Sequence, residues 1–117
     1  MKNEKRYEVR QAEKLCVSQV RIADSFLSRL RGLMFRRSLE PGEGLLLRNC
    51  PSIHCFFMRF PIDVIYLDKE MKVVGKETVE PWRIGKLFRG ARHVLELEKG
   101  GGELIDSDWP IELREAV

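Results

Sequence analysis

The stretch that most limits what this chain can become is residues 53–68, IHCFFMRFPIDVIYLD, the densest apolar run in the sequence. His54, Arg59 and Asp63 are embedded in it. An ionisable group among apolar side chains is costly unless it pairs, bonds internally or faces a cleft. The run is therefore expected to supply central strands and the floor of a site. Pro61 cannot donate a ladder bond, so a bend is expected at Phe60-Pro61. Residues 53–57 read as one strand, with Ile53, Cys55 and Phe57 on one face and His54, Phe56 and Met58 on the other. Residues 62–67 read as a second strand, apolar on both faces, as suits a position between layers or inside a closed barrel.

On either side of this run the pattern is mostly β. Residues 1–13 are polar and mixed in charge and read as a flexible leader, leaving 14–117 as a single domain. Residues 14–22 alternate imperfectly and predict a first strand. The period then changes: Ala23, Phe26, Leu27, Leu30, Leu33 and Met34 recur at three or four, which predicts an amphipathic helix capped by Asp24 or Ser25 and stopped at Gly32. Pro41, Gly42 and Gly44 mark a turn into a short buried strand at 45–47. Beyond the central run, residues 71–78 and 93–97 read as strands, 81–90 as a loop and 103–106 as a short helical piece. Residues 109–113 suit an edge strand, where Pro110 is tolerated. The predicted fold is mainly β (α+β): a small antiparallel, partly closed β-barrel with one α-helix from the N-terminal half packed on it.

Composition narrows the function. At 117 residues the chain can bury a core as one domain. It has no apolar run of about 18 residues or more, so no membrane-spanning helix is expected. The N-terminal sequence has neither an apolar core nor a cleavage signature, and a cytoplasmic location is expected. Cys16, Cys50 and Cys55 then read as reduced thiols. Residues 1–37 carry ten Lys/Arg against four Asp/Glu, and residues 38–117 carry eleven against fourteen. The basic half invites a nucleic-acid reading, but no aromatic interleaving or helix-turn-helix pattern accompanies it, and a solvated face fits better.

Within the central run, Arg59 and Asp63 flank the proline bend. An ion pair pinning the strands is the structural expectation, and a polar clamp for a ligand is the functional one. His54 and Cys55 are sequence neighbours and point to opposite faces of a regular strand, so they cannot form a dyad together. Cys50, His54, Cys55 and His93 make a formal set of four, but their spacing is not that of a zinc knuckle, and neither metal nor cofactor is expected. Trp82, with Phe88, Trp109 and nearby arginines, suits either lid packing or a groove for sugar rings or a peptide.

The segments RLRGLMFRRSLEPGEGLLL (29–47), IHCFFMRFPIDVIYLDKEMKVV (53–74), EPW (80–82) and ARHVLELEKG (91–100) together resemble the DUF192 family, also called UPF0127. The resemblance implies a compact β-rich fold with a packed helix and no established activity. The family commonly has tryptophan where Phe57 stands and glycine where Met71 stands, so a positive φ at Met71 would cost about 1 kcal/mol. The combined expectation is a non-catalytic domain that binds an unknown small molecule, glycan or protein. Its cleft would lie near the bend at 57–63, lined by His54, Phe57, Met58, Arg59, Asp63 and Trp82. The alternative is a small hydrolase or transferase using Asp63 with His54 or His93 as acid–base groups. No complete nucleophile–base–oxyanion set is visible, which favours binding.

Overall fold

The computed structural model describes residues 5–25, 28–29, 32–34 and 36–116. Seven strands form one sheet: β1 (Tyr7–Gln11), β2 (Lys14–Ala23), β3 (Glu43–Leu47), β4 (Ile62–Leu67), β5 (Val73–Val79), β6 (His93–Glu98) and β7 (Glu112–Glu115). Their order is β5-β4-β6-β3-β2-β1-β7. All neighbours are antiparallel except β2 and β3, which run parallel with Val20 opposite Gly44 and Ala23 opposite Leu47. A parallel pair needs a crossover rather than a hairpin. Residues 24–42 make that connection.

The apolar side chains of the central strands divide between two cores. Ile62, Val64 and Tyr66 of β4 join Leu45, Leu47, Val94, Ile53, Cys55 and Met58 on one face. Ile65 and Leu67 join Leu46, Leu95 and Leu97 on the other, with Val9, Val17 and Val20 of β1 and β2. Every residue of β4 is buried. The expected barrel is not found: β5 and β7 end the order unpaired, and the sheet is open. A strand apolar on both faces fits a barrel interior, but it fits equally well a sheet covered on both faces. Here the cover comes from loops on the first face and from Ile105 and Ile111 on the second.

The expected N-terminal-half helix is also not found. No helix of seven or more residues occurs among the described residues, where Ser28 and Arg29 alone are α-helical. Phe26, Leu27, Leu30 and Arg31 of the apolar stripe lie outside the described residues. Arg29 N–H donates to Ser25 O at 2.9 Å, and Gly32 N–H donates to Ser28 O at 3.0 Å. Gly32 then takes φ +49°, the left-handed geometry that stops a helix. No helix of the described residues is long and apolar enough to cross a membrane.

Two further readings change. Tyr7–Gln11, polar enough to suggest a leader, is strand β1, paired on both sides by β2 and β7. Residues 53–57 are not a strand of the sheet. His54 makes a single bridge to Ile84, and Phe57 turns at φ +63°. This segment is fastened to the 81–90 loop instead. Cys55 N–H donates to Arg83 O at 2.7 Å, Trp82 N–H to Cys55 O at 2.6 Å, and Gly85 N–H to Ile53 O at 3.0 Å. Met71 does adopt the positive φ that a glycine would favour, at +66°.

Candidate functional site

Asp63 and Arg59 do not meet. Asp63 lies on β4 and is 8 % exposed. Its Oδ2 accepts from the N–H groups of Gly100 and Gly102, each at 2.9 Å, and its Oδ1 accepts from Thr78 Oγ1 at 2.7 Å. These bonds hold the 3-10 turn at Gly101–Leu104 against the sheet, helped by Lys76 Nζ on Gly102 O and Ile105 O. Gly102 has no room for a side chain, because a Cβ there would lie 2.9 Å from Asp63 Oδ2. Arg59 is exposed and makes no ion pair with a described residue. The pinning carboxylate of the central run is thus satisfied by backbone N–H groups and a hydroxyl, not by arginine.

The face opposite Asp63 holds an apolar cavity of about 230 Å³. Leu33, Leu47, Ile53 and Met58 form its walls, with Arg29 and His54 among its polar lining. Glu96 of β6 also lines it. Glu96 lies opposite Leu45 on β3 and Val64 on β4, so its strand is flanked on both sides by apolar neighbours. It is 4 % exposed, and its Oε1 has no hydrogen-bond partner among the described residues. Burial alone pushes its carboxyl up to about 8. Gly32 stands over this oxygen: a Cβ there would lie 3.8 Å from Glu96 Oε1.

The remaining groups of the cavity are quiet. Cys50 Sγ donates to Ser52 O at 3.2 Å, and burial raises its thiol pKa. Cys55, buried in the core and not part of the lining, is pushed up to about 12, mainly by burial. Neither is poised as a thiolate nucleophile. His54 Nδ1 accepts from Phe56 N–H at 3.2 Å. His93, outside the cavity, accepts from Asn49 N–H through Nδ1 at 2.9 Å, and burial lowers its pKa. No hydrogen bond joins either histidine to Asp63. Among the described residues no cluster of three or more His, Cys, Asp or Glu side chains is placed to hold a metal ion.

The aromatic residues continue outward from the rim. His54 and Phe56 rings lie 5.0 Å apart, Phe56 and Trp82 6.0 Å, and Phe57 and Trp82 4.7 Å. Of the six site residues expected from sequence, the structure places His54 and Met58 on the cavity. Phe57 and Trp82 stack on the surface beside it, while Arg59 and Asp63 lie elsewhere. Glu96 was missed. The alternation of HVLELE sets it opposite Leu95 and Leu97, which reads as a solvent-facing position. The contrary signal was the apolar character of LLL at 45–47 and VIYL at 64–67, strands that leave no wet face between them.

The model of the DUF192 family, described as an uncharacterized ACR, matches residues 7–105. A UPF0127 protein of Pyrococcus horikoshii is 41 % identical over 97 residues, covering 78 % of this chain and 82 % of that protein. A UPF0127 protein of Thermococcus sibiricus is 36 % identical over 109 residues, covering 85 % of this chain and 71 % of that one. A crystal structure of a protein of unknown function from Novosphingobium aromaticivorans superposes with a TM-score of 0.76 at 22 % identity, over 93 % of this chain and 83 % of that one. That likeness shows the fold.

Proposed function

The chain belongs to the DUF192 family, whose description carries no activity, and we propose that it is a non-catalytic domain that binds a small, largely apolar molecule in the Glu96 cavity. One observation carries the reading: a fully buried carboxyl oxygen lines an apolar cavity and has no partner among the described residues. A buried polar atom left unsatisfied costs about 1–3 kcal/mol, and a ligand that supplies a donor recovers that cost. The ligand is therefore an apolar body bearing one hydroxyl, amide or amine aimed at Glu96. About 150 Å³ is enough for a benzene ring, so the cavity takes a ring or short chain with a polar arm.

Support for the hydrolase or transferase alternative is weaker. Asp63 spends both oxygens on the 3-10 turn and Thr78, and neither histidine approaches it. A thermal-shift screen tests the binding reading. Small aryl and alkyl alcohols and amines should raise the melting temperature, whereas hydrocarbons of the same size should raise it less. Glu96→Met should abolish the difference between the two sets. A screen in which polar and apolar probes act alike, or in which Glu96→Met responds as the parent does, removes the reading.

A further inference from the structure

The loop at 81–90 is seated on the sheet by Gly85 and Phe88. Gly85 is buried, and a Cβ there would lie 2.3 Å from Tyr66 Oη. The Phe88 ring packs on Tyr66 with centroids 4.6 Å apart, over Gly75, where a Cβ would lie 2.3 Å from the ring. With those two positions turned inward, the apolar side chains between them are left outside. Trp82 is 57 % exposed, Ile84 69 % and Leu87 83 %. Interspersed with them are Arg83, Lys86, Arg89 and Arg92, all exposed and none in an ion pair with a described residue. From Pro81 to Leu95 there is no Asp or Glu. Exposed Glu80 immediately precedes this stretch, and Glu77 turns inward, its Oε2 accepting from Tyr66 Oη and Lys86 N–H at 2.7 Å each.

We propose that this loop, with Phe57 and Trp82 stacked at its start, is a docking surface for an anionic lipid bilayer. Tryptophan and aliphatic side chains inserted at the headgroup level bury apolar area, and arginine and lysine beside them meet the negative surface potential. Neither contribution alone holds a protein on a membrane, and this loop carries both. The surface suits other occupants less well. Two copies of this chain meeting here would set four cations against four. Single-stranded nucleic acid would find Trp82 to stack on, but Ile84 and Leu87 have no π-face to offer.

Sedimentation of the full chain with vesicles tests the proposal. Vesicles of phosphatidylcholine containing about a third phosphatidylserine should bind the protein, pure phosphatidylcholine should bind it roughly tenfold less, and added salt should release it. In a Trp109→Phe background, Trp82 emission should move to the blue on binding. The double variants Ile84→Ser/Leu87→Ser and Arg83→Ser/Arg89→Ser alter only exposed side chains and should melt as the parent does. Each should lower the partition about tenfold. Failure to sediment with the phosphatidylserine vesicles overturns the proposal, as does sedimentation that both variants leave unchanged. Binding to an RNA homopolymer that survives Ile84→Ser/Leu87→Ser, without vesicle binding, overturns it in favour of nucleic acid. The outcome is independent of the cavity, because Glu96→Met should sediment as the parent does.

Discussion

Asp63 and Glu96 are buried carboxyl groups on neighbouring strands, one residue out of register, on opposite faces of the same sheet. Asp63 takes three hydrogen bonds from Gly100, Gly102 and Thr78. Glu96 Oε1 has none among the described residues. The first group is tied into the fold, and its removal would strand three donors. The second is pushed by burial toward its protonated form. Similar burial therefore separates into two situations once the partners among the described residues are counted: one carboxyl group is bonded to the 3-10 turn and Thr78, and the other keeps an oxygen without a donor.

Substitutions can break or sharpen that contrast. The largest effect belongs to Asp63→Ala, which should lower the unfolding free energy by about 3–5 kcal/mol in urea titrations. A loss under about 1 kcal/mol would erase the distinction. Glu96 should act through pH. Its folded-state pKa of about 8 lies above the ordinary 4.5, so unfolding releases a proton between those values. Its contribution to stability falls as pH rises through that window, by about 1.4 kcal/mol per unit. Glu96→Gln should flatten the slope relative to the parent between pH 5 and pH 8, read from denaturation midpoints, without lowering stability at neutral pH. Glu77 is intermediate, with one oxygen serving both Tyr66 and Lys86. Glu77→Ala should cost about 2 kcal/mol and speed proteolysis within the 81–90 loop. Ala12, exposed at φ +54° in the β1–β2 turn and far from both carboxyls, serves as a control. Ala12→Gly should stabilise by about 0.5–1 kcal/mol with no change in the pH slope.

Strands that carry their own pattern were legible in the sequence. The branched and apolar runs of β2, β3, β4, β5 and β6 stand where composition put them, and Met71 has the backbone angle that its family position implied. What failed were inferences about partners in space. Arg59 and Asp63 are close in sequence, yet the donors to Asp63 are the Thr78 hydroxyl 15 residues away and backbone N–H groups 37 and 39 residues away. Residues 53–57 have strand composition, but Cys55 accepts from Trp82 N–H and donates to Arg83 O, between two loops, instead of joining the sheet. The stripe at 23–34 has helical spacing, but four residues of 23–34 lie outside the described residues, and Gly32 takes a left-handed φ of +49°. Glu96 was hidden because alternation within one strand says nothing about whether the adjoining layers shut out water. Apolar neighbours on both flanking strands decide that, and only the strand order reveals who those neighbours are.

The parallel pairing of β2 with β3 obliges the chain to travel back along the length of the sheet before it can begin the next strand. That return path brings Arg29, Gly32, Leu33 and Met34 over the carboxyl of Glu96. A two-residue reversal at the same place would leave the acid open to the solvent and its pKa ordinary. The roof of the chamber is thus a by-product of strand direction.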